Sequence, residues 1–226
     1  MIGAGDEMAR KRVAILISGR GSNMAALIAA AKDPAYPAEI VLVASNQADA
    51  AGLERATAAG IPTAIVDHTR FGKDREAFER ALQSVLDEHR IDLVCLAGFM
   101  RLLTPWLVSR WQGRMLNIHP ALLPAFKGLD THERALAAGV KIHGASVHFV
   151  VPEMDSGPII AQAAVPVQDD DTPEKLAERV LAVEHRIYPL ALALVARGDV
   201  SLVDGRCRIA GAQPMPAALV VPEIKR

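Results

Sequence analysis

Two side chains in the run Met115-Leu116-Asn117-Ile118-His119-Pro120-Ala121-Leu122-Leu123-Pro124 carry a chemical possibility. Asn117 and His119 alternate with apolar neighbours, and on an extended strand residues two apart share a face. Pro120 and Pro124 end the strand and stiffen its exit. An amide NH₂ and an imidazole held on one rigid face can stabilise an oxyanion as it develops. Taken alone, the same pattern also suits a strand end whose polar groups bond to nearby loops. Asp155 adds a third group. It lies in the loop Pro152-Glu153-Met154-Asp155-Ser156-Gly157-Pro158, where it either serves the turn or presents its carboxylate to a cleft. Beside His119 that carboxylate would hold the ring and favour its charged form. Amide, imidazole and carboxylate together suit addition to a carbonyl, with the carboxylate managing protons.

A second signal is Ser18-Gly19-Arg20-Gly21-Ser22-Asn23, which follows an apolar run. Its backbone N–H groups, the coming helix N-terminus and two hydroxyls make an anion site. The dinucleotide pattern needs a third glycine where Met24 stands, and the Gly-Lys-Ser/Thr of an ATP loop is missing. A single phosphate on a small substrate is the expected ligand, with a plain tight turn as the alternative. No serine or cysteine is set up as a nucleophile: Ser22 belongs to the anion loop and Cys95 to a buried strand. Direct transfer between two bound substrates is therefore expected. His143 and His148 lack metal-ligand spacing, so no metal is expected. His68, His89 and His185 read as surface or capping residues.

Positioning these groups requires an α/β scaffold. Apolar runs predict strands at 12–18, 38–45, 63–67 and 92–98, with the Asn117 run as a fifth. Helical periodicity falls at 23–31, 52–58, 74–90 and 104–111, where Phe78, Leu82 and Val85 share one face of the third helix. Such alternation means right-handed βαβ units and an open, mostly parallel twisted sheet with helices on both faces, a Rossmann-like arrangement. Ligands then sit at the carboxyl ends of the strands. That edge should collect residues 21–23, 97–103, 117–120 and 152–158. Beyond Pro124 the rhythm changes. A helix is expected at 131–138, a half-exposed strand at 143–150, and a partner at 158–167 that forms a partly antiparallel addition to the sheet. Thr172-Pro173-Glu174 signals a helix start. That helix should run to about residue 197, bent or interrupted at Pro189, before a last strand at 201–209.

The totals agree. The 226 residues allow one large domain, and 51% hydrophobic with only 4% aromatic content suits parallel strands covered by helices. A formal net charge of −1 gives no field for nucleic acid or an anionic membrane. Two separated cysteines, with neither a leader nor a membrane span in view, point to the cytoplasm. Residues 1–11 are expected to be a disordered tail ahead of a single domain over 12–226. Its first half, to about 112, would carry the phosphate-binding loop, and the half from 113 to 210 would hold the catalytic groups. Monomer and homodimer both remain open.

Several motifs in order carry a family resemblance. They are Ile17 to Asn23, Leu96-Ala97-Gly98-Phe99-Met100-Arg101, Asn117 to Pro124, Gly128-Leu129-Asp130-Thr131-His132, His143-Gly144 with Ser146 to Val150, and Asp155-Ser156-Gly157-Pro158. Over nearly all of 12–209 the chain resembles the formyltransferases that use 10-formyltetrahydrofolate, and among them the branch that formylates glycinamide ribonucleotide in purine synthesis. The resemblance implies that Gly21, Ser22 and Asn23 hold the ribonucleotide phosphate, with Leu181, Ala182, Val183 and Glu184 completing that site. It implies a folate site lined by Arg75, Met100, Arg101, Leu102, Leu103, Asn117, Val151, Pro152, Glu153, Met154 and Asp155. It makes Asn117, His119 and Asp155 the catalytic trio and His132 a further active-site histidine. Ala145 and Asp130 depart from the family pattern, where a threonine or cysteine and, in some members, a histidine are found. The tRNA-formylating and folate-hydrolysing branches share the trio. The first carries a further C-terminal domain, and the second needs no phosphate loop. A nucleotide-binding module without catalysis would leave the trio without a purpose.

Overall fold

The computed structural model describes residues 9–212 and residue 221. The predictions for the N-terminal tail fall largely outside those residues, as do those for the proline-bearing C-terminal tail.

The first half alternates as its periodicity dictates. β1 (Lys11–Ile17), α1 (Ser22–Ala31), β2 (Ala38–Ser45), α2 (Ala51–Ala58) and β3 (Thr63–Ile65) lead to a 3-10 turn over His68–Phe71. Next come α3 (Arg75–Glu88), β4 (Leu93–Leu96), α4 (Pro105–Arg110) and β5 (Met115–His119). The second half contains α5 (Thr131–Ala137), β6 (Ile142–Phe149), β7 (Ile159–Pro166), α6 (Pro173–Arg197), β8 (Val200–Val203) and β9 (Arg206–Ile209).

Seven strands form one sheet in the order β3-β2-β1-β4-β5-β6-β7. The first five are parallel, and β6 and β7 are antiparallel additions. β1 shows why both faces are covered. Val13, Ile15 and Ile17 point into a core packed by Met24 and Leu27 of α1 and by Val180, Tyr188 and Leu192 of α6. Ala14 and Leu16 point the other way, onto Phe78, Leu82 and Leu86 of α3, Leu107 of α4 and Trp111 at its end. The strand order reverses between β1 and β4, so the crevice of the fold opens where those two strands end. Two loops leave from that point, 18–21 into α1 and 97–104 into α4.

The α3 face holds as expected, with Val85 half-buried against the core of Phe78 and Leu82, and Leu86 adds to it. Three expectations need correction. Residues 143–149 are all buried rather than half exposed, because β6 sits inside the sheet between β5 and β7. The stretch 201–209 is two strands joined at Asp204-Gly205, forming their own small sheet. Finally, α6 runs unbroken for 25 residues through Pro189. Contacts on both sides of the proline hold it: the Tyr36 hydroxyl donates to the Pro189 carbonyl at 2.7 Å, and the buried Tyr188 hydroxyl reaches the carbonyls of Leu96 and Leu116 at 2.9 and 3.2 Å. The start of α6 is as expected, with Thr172 accepting from the Lys175 N–H and Pro173 in the first turn. No helix among the described residues is long and apolar enough to cross a membrane.

Candidate active site

β5 ends in the crevice with Asn117 half-buried and His119 buried on the same strand face. Antiparallel pairing sets Asn117 directly opposite His148 of β6, and directly paired residues present their side chains to the same face. The Asn117 amide nitrogen lies 3.2 Å from His148 Nε2. His148 Nδ1 is 2.9 Å from the Phe149 carbonyl and can only donate to it, so Nε2 is left to accept an amide hydrogen. The β6–β7 register shifts at Val147/His148, and such a bulge re-aims the side chain it carries. Burial lowers the His148 pKa, opposed by the Phe149 carbonyl and by Asp155, while His119 lowers it further.

His119 is held from both sides. Nε2 donates to the Phe126 carbonyl at 3.0 Å, and Nδ1 faces Asp155 Oδ2 at 3.4 Å. With Nε2–H committed to that carbonyl, Nδ1 is the ring atom left to face the carboxylate. The Asp155 carboxylate also accepts the Gly128 N–H at 2.8 Å, and its other oxygen lies 3.8 Å from His148 Nε2. The four side chains therefore meet in one junction, and the His119 and Asp155 side chains are only 7% and 10% exposed.

The loop bearing Asp155 arrives by an unexpected route. Because β6 is antiparallel, the loop leaves where β5 begins, with the Val150 N–H on the Met115 carbonyl, and then folds back to His119. It is not simply part of the carboxyl edge. Gly157 permits this path, since a Cβ there would stand 1.7 Å from the Phe149 carbonyl oxygen. Asp155 itself adopts φ 50°, a left-handed conformation that aspartate tolerates better than most residues. The exit of β5 is fixed by buried Ser146, whose hydroxyl donates to the Ala121 carbonyl and accepts from the Leu123 N–H and the Gln162 amide.

At the end of β1, Gly21 has φ 70° and precedes α1, so Ser22 and Asn23 open the helix with free N–H groups. The Asn23 amide donates to Glu184 Oε2 at 2.7 Å, joining residues 161 apart in sequence. Burial raises the Glu184 pKa, partly offset by that amide. Asn23 Oδ1 has no partner among the described residues. Leu181, Ala182 and Val183 occupy the α6 turn before Glu184, with Ala182 exposed.

Other expected residues surround these two centres. Arg75 is exposed at the start of α3, and the Arg101 guanidinium covers the Phe78 ring at 4.8 Å. Met100, Leu102 and Met154 are 67%, 59% and 54% exposed, leaving large apolar side chains on the loops. Leu103, Val151 and Pro152 flank them, and Glu153 is exposed. His132 does not bond to the trio. Its ring packs edge-on against His143 at 5.4 Å, and burial lowers its pKa. Burial and His132 push His143 down to about 4. Among the described residues no group of histidine, cysteine or carboxylate side chains is arranged to hold a metal.

The sequence reading missed His148 as part of this junction. The sole sign was the alternation of Ser146 and His148, which puts both on one strand face. Which residue stands opposite Asn117 depends on a pairing across about thirty residues, and no local pattern encodes it.

A family model described as formyl transferase matches residues 11–192, most of the chain and both halves of the site. The chain belongs to that formyl transferase family. It is 44% identical over 211 residues to phosphoribosylglycinamide formyltransferase of Escherichia coli, covering 93% of this chain and 99% of that protein. It is 53% identical over 193 residues to the trifunctional purine biosynthetic protein adenosine-3 of Bos taurus, covering 85% of this chain. That alignment takes in 19% of the longer protein, so the chain spans about a fifth of that relative's length. The crystal structure of glycinamide ribonucleotide transformylase 1 from Symbiobacterium toebii superposes with a TM-score of 0.86 at 46% identity, over 89% of this chain and 94% of that one.

Proposed function

We propose that this family member transfers the formyl group of 10-formyltetrahydrofolate to the amine of glycinamide ribonucleotide, releasing tetrahydrofolate in purine biosynthesis. The observation that carries this reading is the junction of Asn117, His119, His148 and Asp155 beside an anion loop tied to Glu184. Such a site has carbonyl-activating groups and a phosphate anchor.

The ribonucleotide phosphate sits on the N–H groups of Gly21, Ser22 and Asn23, where the start of α1 favours an anion. Glu184 and residues 181–183 face its ribose and amine. The folate lies against Met100 to Leu103 and Val151 to Asp155, with Arg75 near its carboxylate end. The amine nitrogen attacks the formyl carbon, and the carbonyl π pair moves to oxygen. One Asn117 amide hydrogen is held by His148 and the other is free for that oxyanion. Imidazolium His119 supplies the opposing charge; for it to donate directly, Nε2–H must exchange the Phe126 carbonyl for the substrate oxygen. Asp155 takes the proton shed by the amine. The intermediate then expels the folate nitrogen, which receives that proton. Both substrates are small molecules and the setting is the cytoplasm.

Incubating the protein with 10-formyltetrahydrofolate, with and without glycinamide ribonucleotide, tests the reading. Deformylation that depends on the ribonucleotide is expected. Equal loss of folate in both samples would make the chain a hydrolase, and no loss in either would refute formyl transfer to this acceptor.

A further inference from the structure

We infer that Glu79 and Ser18 are positioning residues that clamp the loop between β4 and α4, so that this loop is pre-shaped for the folate co-substrate. The inference rests on the reading that Met100 to Leu103 line the folate site.

The loop is tied down at both ends. Glu79 lies outside both proposed substrate sites, and Ser18, expected from sequence to give its hydroxyl to the anion loop, spends that hydroxyl on Asn46 and Met100 instead. At its start, the Ser18 N–H donates to the Gly98 carbonyl at 3.1 Å, and the Ser18 hydroxyl accepts the Met100 N–H at 2.8 Å. That hydroxyl donates its own proton to Asn46 Oδ1 at 2.5 Å. Asn46 is 2% exposed, and its carbonyl lies 2.8 Å from His68 Nδ1, which can donate to it. Because the Met100 N–H can only donate, the Ser18 hydroxyl accepts there and gives its own proton to Asn46. At the far end, Glu79 Oε1 accepts the Thr104 N–H at 2.6 Å, and Oε2 accepts the Thr104 hydroxyl. Midway, the Arg101 guanidinium lies over Phe78, the residue before Glu79.

Glu79 is the telling member. It is 1% exposed, yet no lysine, arginine or histidine pairs with it among the described residues. A buried carboxylate without a cation is costly. Docking α3 beside α4 does not require it, because Phe78, Leu82 and Leu86 already share a core with Leu107 and Trp111, and Gln83 accepts the Trp111 indole N–H. Both carboxylate oxygens are spent on one residue, Thr104, where the loop meets α4. Between the anchors, Met100 and Leu102 stand exposed on fixed backbone. A wall ordered before binding loses less entropy when the ligand arrives.

Steady-state kinetics on the full chain, varying each substrate in turn, tests the clamp with Glu79→Ala and Glu79→Gln. Hydrogen bonds to a charged group are strong enough that Glu79→Ala should raise the folate KM about tenfold or more. The ribonucleotide KM should stay within about twofold, and kcat at saturating folate should be nearly kept. Glu79→Gln retains an acceptor for the Thr104 N–H and should recover most of the loss. Titration with tetrahydrofolate should show the same weakening in Glu79→Ala. Should that variant lose its fold, as read by circular dichroism, Ser18→Ala carries the test from the other end of the loop. Folate affinity unchanged in a folded variant, or both KM values rising together, would overturn the clamp. A wild-type chain that binds tetrahydrofolate but transfers no formyl group would defeat the functional reading and leave the titration to judge the clamp.

Discussion

Replacing Asp155 with asparagine separates its charge from its shape. One Asp155 oxygen accepts the Gly128 N–H at 2.8 Å and faces His119 Nδ1 at 3.4 Å, while the other lies 3.8 Å from His148 Nε2. In Asp155→Asn the amide oxygen can keep the Gly128 bond. The new NH₂ then points at His148 Nε2, an acceptor already served by Asn117. The loop should therefore hold its course, since Gly157 still lies against the Phe149 carbonyl. What disappears is the carboxylate beside His119, which the proposed mechanism uses as proton acceptor. Loss of a positioned general base costs roughly a hundred- to ten-thousand-fold in rate. At 1.36 kcal/mol per decade that is about 2.7–5.4 kcal/mol of transition-state stabilisation. The assay is formyl transfer under saturation with both substrates, alongside KM values and thermal melting. The expected result is kcat down by at least about a hundredfold, with substrate affinities and melting little changed. A kcat within tenfold of wild type would refute the role of the carboxylate, and a collapse of Tm would show that it serves the fold.

Three further outcomes follow from the geometry. Asn117→Ala removes the proposed oxyanion donor and should cut kcat by about a hundred- to a thousandfold in steady-state kinetics; a near-wild-type rate would contradict that role. Tyr188→Phe deletes the hydroxyl between the Leu96 and Leu116 carbonyls and should cost about 1–2 kcal/mol in urea unfolding, with KM values unchanged. His143, held near 4 by burial and by His132, binds fewer protons in the native state than when unfolded. Stability should thus be full above the ordinary histidine range near 6.5 and fall as pH drops towards 4, by at most about 3 kcal/mol. Denaturation curves at several pH values should show that slope, and His143→Gln should flatten it; an identical slope in the variant would remove His143 as its source.

Local patterns revealed the parallel half of the molecule because its rules are local. β1 and β2 are apolar runs buried on both faces, and the α3 stripe repeats at helical spacing. Asn117 and His119 were legible for the same reason, being two residues apart on one strand. The misses lie where distant segments decide the outcome. Proline chemistry predicts a break at Pro189, but Tyr36 and Tyr188 bind α6 on either side of it. The polar alternation of β6 suggested an exposed face that its neighbours and α6 cover. His148 joined the site through strand register, and the Asp155 loop through a fold-back that one glycine permits. Glu79 gave no sequence signal at all, since a glutamate in an amphipathic helix ordinarily faces water.

The central claim is direct transfer between two bound substrates at the Asn117–His119–Asp155 junction. A single-turnover experiment with isotopically labelled formyl folate, excess enzyme and glycinamide ribonucleotide tests it most directly. All of the label should pass to the ribonucleotide amine, with none on the quenched protein at any time and none released when the ribonucleotide is left out. Label bound to the protein, or formate released without the ribonucleotide, would contradict the account.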